Sequence, residues 1–215
     1  MSSAFDPAAL RLMGITDDLR DGGDGLAARA AAAVRGGVTM LQVRLKDADS
    51  RTAVEVTRAI VAVAATFDGP RVPVIVNDRL DVALAAGAHG VHLGADDLPV
   101  KAARAIVPAG FIIGASVGAP SEVANAAEAD YVGIGPVYAT ATKADAGAAI
   151  GVEGLVALAR QVAHPVVGIG GVTAANARAI VHAGAQGVAV VRAIFGAADV
   201  ERAARAIRAA LDSKE

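Results

Sequence analysis

The sequence predicts an α/β protein, a single (β/α)8 TIM barrel spanning residues 1–215. Short β-branched runs alternate strictly with alanine-rich amphipathic stretches, a pattern that implies a parallel sheet with helical crossovers. The unit recurs eight times in 215 residues. Doubly wound sheets usually have fewer strands and a switch point, whereas eight equal units of this size close a barrel. No low-complexity linker or domain break interrupts the series.

The elements follow in order. Leu10 to Thr16 is the first expected strand, and Gly25 to Arg35 its helix. Thr39 to Arg44 is the second strand; its helix runs from Ser50, the expected N-cap, to Phe67. Val72 to Val76 precedes a helix over Arg79 to Ala86. Gly90 to Leu93 precedes a helix opened by Pro99, and Phe111 to Ala115 one opened by Pro120, since proline suits a first turn. Tyr131 to Gly135 is the sixth strand, with a helix over Val152 to Val162. Val166 to Ile169 is the seventh, followed by Thr173 as an expected N-cap. Gly187 to Val191 is the eighth, and Val200 to Leu211 the closing helix. Ala-Gly-Ala occurs before the fourth and eighth strands, where glycine can end a helix in the left-handed conformation.

Composition narrows the function. Hydrophobic residues are 54% and charged residues 20%, enough apolar material for a large core. A net charge of -2 gives no basic surplus for nucleic acid or an anionic membrane, so any anion affinity must be local. Aromatic residues at 3% argue against base stacking. The absence of cysteine excludes disulfides, thiolate metal sites and cysteine nucleophiles. The N-terminus lacks signal-peptide features. The longest apolar run, Ala59 to Ala65, is far short of the roughly 18 residues of a membrane span. A cytoplasmic protein is expected; a homo-oligomer is left open.

In a barrel the working residues sit where strands end. On the second strand, alternation puts Gln42, Arg44 and Lys46 on one face, where a barrel strand is normally apolar. They suit a phosphate or pyrophosphate, or else Arg44 pairs with Asp47 or Asp49 in a solvated loop. The third and fourth strands end in Asn77-Asp78 and in His92 to Asp97. Asp78 and Asp97 are hard oxygen donors suited to Mg²⁺ beside substrate phosphates, or else helix caps. Asp81 is a candidate support one turn on. His92 reads as a core or rim histidine supporting the loop, because nothing completes a zinc set. Ser116 is a small rim donor or a turn serine. Tyr131 to Lys143 is a strand that breaks at Gly135-Pro136, then offers Thr140, Thr142 and Lys143 to an anion, or forms a solvated turn. Gly170-Gly171 and the Val191-Arg192 segment form a candidate phosphate cup. Two anion sites imply two phosphorylated small-molecule substrates, one of them a pyrophosphate.

With these residues assembled, the chain resembles thiamine-phosphate synthases. The resemblance rests on Gln42-Val43-Arg44-Leu45-Lys46, Asn77-Asp78-Arg79-Leu80-Asp81, His92-Leu93-Gly94-Ala95-Asp96-Asp97, Gly114-Ala115-Ser116, Gly135-Pro136 through Lys143, and Gly170-Gly171, in the family's order. It implies that 4-amino-2-methyl-5-hydroxymethylpyrimidine diphosphate loses pyrophosphate and is joined to 4-methyl-5-(2-hydroxyethyl)thiazole phosphate. Gln42, Arg44, Lys46, Asn77, Ser116 and Lys143 would then bind the pyrimidine diphosphate, with Arg44 and Lys143 as the catalytic cations. Asp78 and Asp97 would hold Mg²⁺, and Thr140, Thr142, Gly171, Val191 and Arg192 would receive the thiazole phosphate. The loop to Lys143 would close as a lid. The chain departs from the family's usual residues at Leu45 (acidic), Gly118 (histidine) and Arg192 (serine). A thiazole tautomerase of the same fold, or a non-catalytic phosphate-binding barrel, is the alternative; neither needs Lys143, Asp78 and Asp97 together.

Overall fold

A computed structural model describes residues 5–17, 19, 21–140 and 147–213. Its eight parallel strands close a barrel in sequence order. They are β1 (Leu12–Ile15), β2 (Met40–Val43), β3 (Val74–Asn77), β4 (Gly90–Leu93), β5 (Ile112–Val117), β6 (Tyr131–Ile134), β7 (Val166–Ile169) and β8 (Gly187–Val190). The crossovers carry α1 (Gly22–Arg35), α2 (Ser50–Ala64), α3 (Leu80–Ala86), α4 (Val100–Ile106), α5 (Gly151–Ala159) and α6 (Ala177–His182). A short α7 (Arg192–Phe195), which the periodicity did not reveal, precedes α8 (Val200–Asp212).

Local chemistry explains the departures from expectation. Ser50 does not cap α2; Asp49 does, its carboxylate accepting from the Thr52 amide at 3.0 Å. Thr173 is not a cap either: its amide donates to Asn176 Oδ1 at 2.7 Å, and α6 starts later. The segment after β5, Pro120–Glu128, is a 3₁₀ helix of which only Ala126 is buried, so no apolar stripe of 3.6 spacing enforces an α-helix.

Strand alternation divides the core in two. Leu12, Leu41, Val74, Val76, Val91 and their like face outward onto the helices. Met13, Ile15, Met40, Ile75, Ile112, Tyr131 and Val167 fill the barrel interior. Leu10, at the end of the 3₁₀ turn Pro7–Leu10, is fully buried in that interior, and Phe5 packs against it, closing the end opposite the strand C-termini.

Register puts His92 of β4 beside Gly114 of β5, and Gly114 beside Tyr131 of β6. The Tyr131 ring crosses over the glycine: a Cβ at Gly114 would meet its Cζ at 2.2 Å and its hydroxyl at 2.3 Å. Gly114→Ala is therefore expected to destabilise the fold by about 1–3 kcal/mol, the usual result of overpacking. Thermal melting checks this; an unchanged midpoint would show that the ring can move aside.

Candidate active site

On β2, β3 and β5 the position two beyond the inward-facing layer is polar. Gln42 follows Met40 on β2, Asn77 follows Ile75 on β3, and Ser116 follows Gly114 on β5. They share a cavity of about 740 Å³ at the C-terminal end of the barrel. Gln42, Arg44, Lys46, Asn77, Asp78, Asp97 and Ser116 all line it. So do Thr140, Gly171, Val191 and Arg192 on the β6–β8 side. The remaining candidates, Thr142 and Lys143, lie outside the described residues, as does most of the expected lid.

The alternative pairing of Arg44 does not occur: among the described residues, Arg44 has no ion pair with Asp47 or Asp49, and Asp49 is committed to capping α2. The backbone of Arg44 is anchored instead. The fully buried Thr16 hydroxyl accepts from the Arg44 amide at 2.9 Å and contacts the Arg44 carbonyl at 3.4 Å. Arg44 thus leaves β2 in a fixed direction, with Lys46 two residues on at the exposed rim.

Asp78 and Asp97 line the same cavity, close enough for the Asp97 carboxyl to act on Asp78. Asp78 has φ 63°, the one non-glycine residue among those described with positive φ. Its amide donates to the His92 carbonyl at 2.8 Å and the next amide, of Arg79, turns back to the Asn77 carbonyl at 2.7 Å. Asparagine and aspartate tolerate this conformation best, and an outlier at a cavity wall marks a position held by its surroundings. Burial, then the Asp97 carboxyl, raise the Asp78 pKa to about 6, against the lowering influence of Lys46 and Arg44. Neither aspartate caps a helix: Asp97 Oδ2 accepts from the Gly94 amide at 2.7 Å, and α3 has no side-chain cap. Asp81 faces away and pairs with Arg79, so it does not support Asp78.

His92, expected as a core or rim histidine, lines the cavity from β4. Its Nδ1 lies 2.8 Å from the Tyr131 hydroxyl and its Nε2 2.9 Å from Ser116 Oγ. Burial lowers its pKa to about 4 and pushes that of Tyr131 up, so both are neutral at ordinary pH. Sequence reading missed Tyr131 because an aromatic residue opening a strand is ordinary core. The available signal was Gly114, whose missing side chain admits the ring. Glu122 was also missed; it lines the cavity and accepts at 2.6 Å from the amide of Gly118, the position where the family usually has a histidine.

Across the cavity, Gly170 and Gly171 have φ 96° and 63°. A Cβ on Gly170 would meet Pro136 at 2.6 Å, and one on Gly171 the Ala139 carbonyl at 2.6 Å. The glycines therefore let the β7 turn pack under the segment that leads to Thr140. Asn176 braces the turn, donating to the Gly171 carbonyl at 3.0 Å. Arg192 stands exposed at the cavity edge, as the first residue of α7.

The family described as Thiamine monophosphate synthase matches residues 12–194. The chain belongs to that family. A thiamine-phosphate synthase of Azorhizobium caulinodans is 46% identical over 209 residues, covering 96% of this chain and 97% of its relative. One from Xanthobacter autotrophicus is 47% identical over 207 residues, covering 95% and 97%. Among solved structures, a thiamine phosphate pyrophosphorylase from Pyrococcus furiosus superposes with TM-score 0.84 at 36% identity, covering 96% of this chain and 97% of that one. The expected synthase resemblance and the expected barrel both hold. Among the described residues, no helix of this family member is long and apolar enough to cross a membrane.

Proposed function

We propose that this chain is a thiamine-phosphate synthase, a transferase joining 4-amino-2-methyl-5-hydroxymethylpyrimidine diphosphate to 4-methyl-5-(2-hydroxyethyl)thiazole phosphate with release of pyrophosphate. One observation carries the reading beyond family membership. Arg44 and Lys46, the Asp78–Asp97 pair and the Gly170-Gly171 turn line a single cavity, so a diphosphate and a monophosphate can be held facing each other.

The roles follow from position. Arg44 and Lys46, with Lys143, hold the diphosphate and neutralise the charge that grows on the leaving oxygen. Gln42, Asn77 and Ser116 orient the pyrimidine ring above the apolar layer of the barrel. Thr140 and Thr142, with the backbone at Gly171, Val191 and Arg192, hold the thiazole phosphate so that the ring nitrogen meets the methylene carbon. Most of the acceleration comes from placing two reactants together and from fixed charges, with water kept from the electrophilic carbon.

The donor set fits Mg²⁺. Two hard carboxylates lie beside two cations, and burial, then the neighbouring Asp97, pushes the Asp78 pKa up to about 6. Among the described residues, no group of three or more acidic, histidine or cysteine side chains could hold a metal. Two carboxylates are the usual protein share of a Mg²⁺ site that substrate phosphate oxygens and water complete. Asp78 and Asp97 would hold it; when bound, it would supply positive charge to the departing pyrophosphate.

The test is direct. Purified protein, mixed with both substrates, is expected to form thiamine phosphate in the presence of Mg²⁺ and to slow strongly when the metal is chelated. No thiamine phosphate under any condition overturns the reading.

A further inference from the structure

We propose that the end of β1 braces the mouth of the barrel: Thr16 fixes Arg44 on one side, and Asp17, through Arg29, fixes the short helix α7 on the other. Thr16, Asp17 and Arg29 are positioning residues, and together they set the spacing between the two halves of the cavity.

β1 pairs with β2 along one edge and with β8 along the other, so its end stands between Arg44 and the Val191-Arg192 segment. Arg44, Val191 and Arg192 line the cavity, whereas Thr16, Asp17 and Arg29 do not. Whatever the end of β1 does for a ligand, it does through these neighbours.

Toward β2 the tie is a hydroxyl. Met13 and Ile15 face the barrel interior, so Thr16 faces outward, into the layer that holds Leu12, Leu41, Val43 and Val74. It is fully buried there. A hydroxyl in an apolar layer costs free energy unless it is hydrogen-bonded. The backbone ladder runs one bond past the strand, from the Thr16 amide to the Gln42 carbonyl at 2.9 Å. The side chain makes the next bond: Thr16 Oγ1 accepts from the Arg44 amide at 2.9 Å and reaches the Arg44 carbonyl at 3.4 Å. Valine has the same shape without the hydroxyl, so it would pack here and leave the Arg44 backbone untied.

Toward β8 the tie is an ion pair. Asp17 Oδ1 accepts from Arg29 Nη1 at 2.8 Å, and both side chains are largely buried. A second carboxylate, Asp21, lies 3.4 Å from Arg29 Nε. The same Nη1 donates to the carbonyl of Phe195, the last residue of α7, at 3.2 Å. The Phe195 ring leans on β1 as well: a Cβ at Gly14 would meet its Cε2 at 3.2 Å. Because α7 is only four residues long, fixing its last carbonyl also fixes where Val191 and Arg192 meet the cavity. Which substrate sits on each side rests on the synthase reading; the two ties do not.

The experiment has two readouts. Hydrogen exchange on the unliganded protein reads the ties. The Arg44 amide is expected to exchange slowly in the wild type and in Thr16→Ser, and about tenfold faster in Thr16→Val. The Phe195 and Gly196 amides, bonded to the Val191 and Arg192 carbonyls, are expected to exchange faster when Arg29→Met is combined with Asp17→Asn. That double variant removes the pair without leaving a charge unpaired. An unprotected Arg44 amide in the wild type, or unaltered exchange in Thr16→Val, overturns the brace whatever the activity. Steady-state kinetics reads the spacing. Thr16→Val is expected to raise KM for the pyrimidine diphosphate about tenfold, the scale of one lost hydrogen bond, and to leave KM for the thiazole phosphate nearly unchanged. Thr16→Ser should restore the wild-type value, and in an Arg44→Ala background Thr16→Val should add nothing. The double variant is expected to raise KM for the thiazole phosphate instead. Equal rises for both substrates would mean general loosening and overturn the proposal, as would either tie removed with both KM values unchanged. Absence of thiamine phosphate from the wild type sinks the synthase reading instead, and the exchange rates still decide the ties.

Discussion

Arg44→Ala is expected to lower kcat/KM by about 10²–10³-fold, the usual loss when a charge-stabilising donor is removed from a site of developing charge. The side chain leaves β2 beside Gln42, and its backbone is tied to the buried Thr16 hydroxyl. It is therefore placed before any ligand arrives, and little reorganisation is needed in the reaction. Arg44 is also one of two cations whose charge reaches Asp78, the other being Lys46. Arg44→Lys should restore only part of the activity, because an ammonium cannot grip two phosphate oxygens in a fixed fork. Steady-state kinetics on both variants, beside circular dichroism to confirm folding, checks this. Wild-type kinetics in Arg44→Ala would mean that the diphosphate does not bind at the end of β2.

Asp78→Asn is expected to abolish most activity and yet stabilise the metal-free protein at neutral pH. The sign follows from linkage. The folded Asp78 pKa is raised to about 6 from its ordinary 3.8, so the folded state holds this proton more tightly than the unfolded chain. The favourable contribution is fully present below the unfolded value. It is lost as pH rises through the folded value, so above about pH 6 the ionised carboxylate weighs against folding. Asparagine removes the charge that burial and Asp97 oppose. With the carboxyl only about half-buried, screening keeps the gain near 1 kcal/mol, or about 2–4 °C in melting temperature for a chain of this size. Mg²⁺ should raise the wild-type midpoint by binding the folded form and leave that of Asp78→Asn nearly unmoved. Melting curves at pH 7 with and without the ion test both halves; a variant less stable than wild type without metal contradicts the crowding account.

Much of this site was legible because it lies on strand ends, where period-two alternation is a strict rule. Once Gln42 was placed inward, Arg44 and Lys46 followed, and all three line the cavity. The carboxylate pair was also legible, since Asp78 and Asp97 end adjacent strands. Side-chain partners across the barrel were not. His92 meets Tyr131 from a strand two places away, and the gap at Gly114 on the strand between them puts them in contact. Asp81 was misjudged for the opposite reason. Its sequence neighbourhood points to Asp78, but the left-handed turn at Asp78 sends the following helix outward, and Arg79 takes the carboxylate. Cap residues failed by a single position at α2, where Asp49 outcompetes Ser50 for the Thr52 amide.

The stopper formed by Leu10 and Phe5 makes the barrel a vessel with one mouth. Whatever settles against Gln42 and Ser116 is covered by whatever then occupies the rim at Gly171 and Thr140. On the synthase reading, traffic through such a vessel is expected to be last in, first out, with the deep guest arriving before its companion; initial-rate and product-inhibition kinetics that show random binding would contradict this.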